Sequence, residues 1–268
     1  MKDWRKYNGA LVPVTPPHID VDITNIDKEI IKTNSYFARW TTDFDSGKEG
    51  EFWYVIHDNP MRIEDYSRNT RSKIRRGLKN CSVELVDKSK VLEEGFESYN
   101  AAFLNYNTYL ISKNKEEFQF EIKQLEGQWQ FWGIFYGSKM IGYSQNRIVE
   151  DYCDYSTIKF HPNYLKLYPS YALFFTMNKY YLNEKKFKYV NDGTRSISHD
   201  TNIQEFLMQK FQFRKAYCRL NVLYYPKVKM ILKLIYPVQF LISFLKFGAF
   251  KKINILLFQE KIRRSYER

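Results

Sequence analysis

The sequence predicts a mixed α/β (α+β) fold, a mostly antiparallel sheet flanked by helices, with an N-terminal lobe and a basic amphipathic C-terminal segment. Three observations predict it. From Ser82 to Tyr225 the apolar residues switch between strand alternation and helical spacing in the order β-α-α-β-β-β-α-β-α-β. Before Ser82 the pattern is irregular, and Pro13, Pro16 and Pro17 punctuate its start. After Tyr225, Lys and Arg interleave with Val, Ile, Leu and Phe. The expected segments are therefore 1–81, 82–225 and 226–268 in a chain of 268 residues, long enough for one large domain.

In the N-terminal lobe, Phe52 to Ile56 reads as a buried strand stopped by Asp58-Asn59-Pro60. The stretch Arg68–Lys79 follows, with six basic residues in twelve and no acid. Helical spacing places Arg68, Arg71, Arg75 and Lys79 on one stripe, with Ile74 and Leu78 beside it. Such a stripe grips phosphate or is simply a solvated face.

Ser82 to Val86 alternates as a strand, and Phe96, Tyr99, Ala102, Phe103 and Tyr106 mark a helix from Val91 to about residue 110. Phe118, Ile122 and Leu125 mark a second helix over 116–125. Trp129 to Tyr136 and Met140 to Val149 are strands joined by the hairpin signal Gly137-Ser138-Lys139, and Tyr152 to Phe160 is the next strand, closed by His161-Pro162. Pro169 opens a long helix from its first turn, where a missing N–H costs nothing. Tyr189 to Asn191 is a short strand ending in Asp192-Gly193. Thr201 with Gln204 forms a capping-box pattern before a helix through Phe206 and Phe211, and Ala216 to Tyr225 is the last strand.

Charge and cysteine use exclude several classes. The net charge is +12, of which 226–268 carries +8: ten Lys/Arg against Glu260 and Glu267. A basic tail of this kind suits an anionic membrane surface, or packing on the domain or a partner. Cys81, Cys153 and Cys218 are far apart, and His18, His57, His161 and His199 show no ligand spacing, so neither a disulfide framework nor a metal is expected. Leu234 to Leu245 holds Pro237, Gln239 and Ser243 and is too short to span a bilayer. The start of the chain has no secretory h-region, so a cytoplasmic protein, peripheral at the inner face of the membrane, is expected. Aromatics make 18% of the residues, a share that serves a core as readily as it serves base or sugar stacking.

The element order over 82–225 resembles the GNAT acyltransferase superfamily, and the basic Arg68–Lys79 stretch running into a strand is similar to the lead-in of its FemAB-like branch. Asp192-Gly193-Thr194-Arg195, and then Phe206 to Arg214, stand where that superfamily places strand five and the helix ending in Gly-Phe. The resemblance implies an N-acyltransferase using acetyl-CoA or another acyl-CoA. Strands four and five would splay, and the pantetheine arm would lie along Tyr155 to Phe160, Ile158 and Phe160 included. The pyrophosphate would rest at the helix opening near Pro169, with Lys166, Ser170 and Tyr171 assisting.

The loop Lys166–Ser170 lacks the usual glycines, as the loops of FemAB-like members do, and those take aminoacyl groups from tRNA. Aligning Gln212-Phe213 with Gly-Phe puts Met208 where a tyrosine often protonates the leaving group.

Acyl transfer to an amine needs a base and oxyanion donors. Asp192, Arg195 and His199 share one polar loop and are the expected catalytic groups; an ordinary Asp-Gly turn and a solvated histidine are the plain alternatives. The expected acceptor is an amine on a small molecule or on a sugar or cell-envelope glycan precursor. A tRNA bound through Arg68–Lys79 is the rival partner, and an inactive binding domain the rival to an enzyme.

Overall fold

The computed structural model describes residues 3–105, 111–197, 202–242 and 249–266. In chain order the first elements are β1 (Trp4–Tyr7), β2 (Ala10–Pro13), α1 (Ile26–Lys32), β3 (Phe37–Thr42), β4 (Trp53–His57) and α2 (Arg68–Asn80). Next come β5 (Ser82–Val86), α3 (Lys88–Phe103), α4 (Lys115–Lys123), β6 (Trp129–Tyr136), β7 (Lys139–Val149) and β8 (Tyr152–Phe160). The remainder are α5 (Pro169–Asn178), β9 (Tyr189–Thr194), α6 (Ile203–Phe211), β10 (Arg214–Tyr217), β11 (Arg219–Tyr224), α7 (Pro226–Ile235), α8 (Gln239–Ile242) and α9 (Ala249–Ser265). Thr201, half of the expected capping box, lies outside the described residues.

Two compact units result: Met1–Val55 with Thr194–Asn202 and Lys215–Arg268, and Ile56–Gly193 with Ile203–Arg214. This corrects the expected boundaries at 81/82 and 225/226. The reason is strand pairing. β11 runs antiparallel to β3 from Tyr224↔Phe37 to Arg219↔Thr42, which ties the end of the expected central domain to the N-terminal residues. The single strand expected over 216–225 breaks at Cys218 into β10 and β11, which belong to different sheets.

In the first unit the four-stranded order is β1-β2-β3-β11. β1 and β2 turn through Asn8 and Gly9, both at positive φ (47° and 78°), the two-residue geometry that Asn-Gly favours. The N-terminal lobe is thus regular where the sequence reads as irregular. Trp4, Leu11, Ile26, Ile30 and Ala38 form one core cluster; Phe52, Cys218, Leu220 and Ile262 form another.

In the second unit β9, β8, β7, β6 and β5 are consecutive neighbours, and the order continues from β9 through β4 to β10. All pairs from β5 to β8 are antiparallel, as expected of the fold class; β8 and β9 are parallel. α3 and α4 supply Val91, Tyr99, Phe118 and Ile122 to a cluster with Phe131, Phe135, Met140 and Tyr143 of the sheet. α5 buries seven of its ten residues, and burial this far around a helix marks a core element. α2 begins with Ser67 accepting a hydrogen bond from the Thr70 N–H at 3.3 Å and buries Thr70, Ile74 and Gly77. Gly77 is where α2 meets the start of α5: a Cβ there would lie 2.6 Å from the Tyr168 carbonyl oxygen and 3.2 Å from the Ala172 Cβ.

Candidate active site

The site follows from how β8 leaves β9. Their pairing covers Tyr152↔Tyr189, Cys153↔Val190 and Asp154↔Asn191 and ends there. On its other edge, β8 shifts register against β7 between Gln145↔Thr157 and Asn146↔Tyr155, so Ser156 is the extra residue of a bulge. A bulge bends its strand, and this one falls two residues beyond the last β8–β9 pair. Past it, Ile158 and Phe160 still pair with Ser144 and Gly142 of β7, while Tyr155 to Phe160 has no β9 partner in the register. The β8–β9 pairing thus ends where the resemblance expects the two strands to part.

Tyr155 and Asp192 are the first residues beyond the split on their two strands. At the split itself, the Asn191 side-chain amide donates to the Asp154 carboxylate at 3.2 Å, and the Gly193 N–H donates to the Asn191 Oδ1 at 2.9 Å. The glycine takes φ 88°, a conformation few other residues tolerate. Burial, with the Asp154 carboxylate adding to it, pushes the Asp192 carboxyl up to about 8. The Tyr155 phenol is buried and donates to the Asn178 Oδ1 of α5 at 2.8 Å; burial raises its pKa well above the usual value, so it remains an O–H group.

Sequence reasoning misses several groups here. His57 ends β4 with 2% exposure, its ring 5.5 Å from that of Phe213, and burial lowers its pKa to about 4. Neither of its ring nitrogens has a hydrogen-bond partner among the described residues; the Tyr66 hydroxyl lies against the Asn178 side chain, which offsets part of the rise that burial gives its pKa. Deeper in the unit, Tyr181 accepts from Trp132 Nε1 at 2.9 Å and from Asn146 Nδ2 at 3.2 Å. Only strand pairing and helix docking bring these groups near the split, and no local motif announces them.

The other expected residues are placed differently. Arg195 belongs to the first unit, where it pairs with Glu51 at 2.5 Å and stacks on Trp53 (4.7 Å) and Phe258 (5.3 Å). Those contacts explain it as a packing residue. His199 lies outside the described residues. His161 accepts from the Asn163 N–H at 3.3 Å and caps the turn after β8.

An acyl-CoA can be tested against these residues. The stretch of β8 beyond its last β9 pair fits an extended pantetheine arm. The start of α5 does not fit a diphosphate. Pro169 has no N–H, and the N–H groups of Tyr171 and Ala172 both turn back onto the Tyr168 carbonyl at 3.1 and 3.2 Å, which leaves Ser170 as the first-turn donor. Tyr168 adopts φ 63° in place of a glycine. Lys166 is exposed, and Tyr171 is buried against Phe206 and Phe211. Cations come instead from α2: Lys73 lies 5.4 Å from the Tyr171 ring and Arg76 4.8 Å from the Tyr168 ring. Arg68, Arg71, Ser72, Arg75, Arg76 and Lys79 line an open groove, and no carboxylate pairs with these cations among the described residues.

Comparison with solved structures shows what this architecture is. FemX superposes with a TM-score of 0.57 at 11% identity over 87% of this chain and 85% of its own. The chain has the FemX fold. The C-terminal DUF2156 domain of a putative lysylphosphatidylglycerol synthetase from Agrobacterium fabrum matches at 0.54 and 11% identity over 87% of this chain and 82% of its own. L-PGS from Bacillus licheniformis matches at 0.52 and 10% identity over 97% and 85%. No family model and no curated protein matches the sequence. The FemX-like likeness therefore extends well beyond 82–225, and at these identities it speaks for fold alone.

Proposed function

We propose that this protein is an N-acyltransferase that moves an acyl or aminoacyl group from an activated carrier to an amine in the gap between β8 and β9. The observation that carries this reading is the raised Asp192 carboxyl at the mouth of that gap, beside the stretch of β8 that runs past its last β9 pair and could line an extended donor. The acceptor nitrogen arrives as an ammonium, and Asp192, ionised above about 8, takes a proton from it. The neutral amine attacks the acyl carbon and a new C–N bond forms; the bond to the carrier oxygen or sulfur breaks with its electron pair, and the carrier takes up the proton that the nitrogen sheds. The Asp154 carboxylate favours a cationic acceptor in the gap, and Asp192 adds to it once ionised.

The carrier we favour is an aminoacyl-tRNA, because α2 offers side-chain cations along a groove whereas the start of α5 offers few backbone donors for a diphosphate. Acetyl-CoA or another acyl-CoA is the second reading, supported by the same stretch of β8. One experiment separates them: labelled acyl transfer to a panel of amines, glucosamine and ethanolamine included, from charged tRNA and from acetyl-CoA. Transfer from tRNA is expected to weaken tenfold or more when Arg71, Arg75 and Lys79 are changed together to Gln. Transfer from acetyl-CoA that ignores this change supports the second reading. Activity with neither donor, or full activity in Asp192→Asn, overturns the proposal.

A further inference from the structure

The C-terminal residues of the first unit contain a helix whose apolar arc is wider than the face it buries. In α7, Val228, Leu232 and Ile235 share one face; Leu232 is 4% exposed, and the other two are half-buried. That is the inward side. Helical spacing carries the apolar arc on from that face through Ile231 to Leu234 and Met230, and Val238 of the following turn continues their line. These four point into solvent, with Leu234 70% and Met230 61% exposed. A helix docked by a single apolar stripe should turn polar residues outward. Here the apolar arc runs on past the buried face into solvent, and Lys229 and Lys233 occupy the side that remains.

The charge around it has one sign. Residues 226–259 include six lysines and no Asp or Glu. Lys227, Lys229 and Lys233 on α7 are exposed, and none forms an ion pair among the described residues. No helix among the described residues is long and apolar enough to cross a membrane. A second copy docking through this stripe would bring two surfaces that carry lysine and no carboxylate against each other, and like charges at an interface disfavour it. A surface of fixed negative charge with an apolar layer beneath accepts both features at once: lysines at headgroup level, Met and Leu below them.

We propose that the outward stripe of α7, Met230, Ile231, Leu234 and Val238 flanked by Lys227, Lys229 and Lys233, seats the protein on an anionic lipid surface. Binding needs no contribution from the transfer chemistry, so its test stands apart from the transferase reading. The full-length protein is floated with vesicles of phosphatidylcholine alone and with vesicles containing about a third phosphatidylglycerol. At least tenfold greater partition onto the anionic vesicles is expected, falling with added salt. The double variant Met230→Glu/Leu234→Glu is expected to lose it at least tenfold while melting within about 2 °C of the parent. Lys229→Gln/Lys233→Gln, which leaves the stripe intact, is expected to lose the preference for anionic over neutral vesicles. Failure of the parent to float with anionic vesicles overturns the proposal, as does equal flotation of the glutamate variant. A concentration-dependent dimer in light scattering that Leu234→Glu abolishes, with no vesicle binding, would instead make the stripe an interface between copies.

Discussion

Asp192→Asn keeps the shape of the side chain, removes its charge at every pH, and is expected to make the protein more stable. A free carboxyl titrates near 3.8, whereas Asp192 in the fold is pushed to about 8, first by burial and then by Asp154. Between those values the folded chain holds a proton that the unfolded chain has released. The folded state binds more protons there, so Asp192 lowers stability as pH rises through the window. At roughly 1.4 kcal/mol per pH unit, the ceiling on that loss by pH 8 is about 6 kcal/mol. Relaxation and water reaching this partly exposed residue reduce it, and ~2–4 kcal/mol is the expected size. Urea denaturation of parent and variant at about pH 5, 6.5 and 8 reads the effect. Asn is expected to be the more stable residue throughout, with a gap that widens as pH rises. A variant less stable than the parent at pH 8 would mean that Asp192 is ionised and held by a donor, and the argument for its role as a base would fall with that result.

Four further outcomes follow from the packing. Gly77→Ala gains up to ~1 kcal/mol of helix propensity but sets a methyl 2.6 Å from the Tyr168 carbonyl oxygen. Backbone does not yield cheaply, so a net loss of ~1–3 kcal/mol in a denaturant titration is expected. Tyr181→Phe strips the acceptor from Trp132 and Asn146, and a fall of ~1–3 kcal/mol is expected by the same measurement. Arg195→Ala removes the Glu51 pair and the stacking on Trp53 and Phe258; it should cost about 1 kcal/mol while turnover stays within about twofold. His57→Phe keeps the ring contact with Phe213 and removes a group whose pKa falls from 6.5 to about 4 in the fold. The unfolded chain binds the extra proton between those values, so His57 lowers the parent's stability relative to the variant as pH drops from 6.5 to 4. That difference between parent and variant should reach up to about 3 kcal/mol at pH 4 by equilibrium denaturation.

What the sequence makes legible is what is local. The basic stripe Arg68–Lys79 locates α2 to within a residue, because its period lies inside one stretch. Alternation and the Gly137 turn locate β6 and β7, and Pro169 marks the first turn of α5. What escapes is pairing across distance. The short strands β1 to β3 lie among prolines and polar residues and become regular only when β3 pairs with β11, far along the chain. Asp192 is legible as an Asp-Gly at a strand end. Its perturbation is not, because Asp154 reaches it only through the parallel pairing of β8 and β9. His57, Tyr66 and Asn178 carry no motif, and each acquires meaning from the surroundings that folding gives it. Arg195 shows the converse: three residues from Asp192 in sequence, it is taken up by aromatic packing in the other unit.

The two shifted groups near the split also bear on how the site would be noticed in solution. As pH rises from about 4 to 6.5, His57 sheds a proton in the unfolded chain and so adds stability to the fold. Over the same range Asp192 subtracts stability through the proton that it keeps. One proton enters each balance with opposite sign, so the slopes cancel and the parent is nearly flat there on account of these two groups. Above 6.5 only Asp192 still acts, and stability falls toward pH 8. A pH profile of the parent alone would therefore hide both perturbations over the acidic range, while either single variant uncovers the slope of the other. Both perturbations are burial effects, and both groups sit on strands that border the opened end of the sheet. There the fold gives up strand pairing and hydrogen-bond partners, and a stretch of β8 past its last β9 pair and a proton-holding carboxyl stand together as a result.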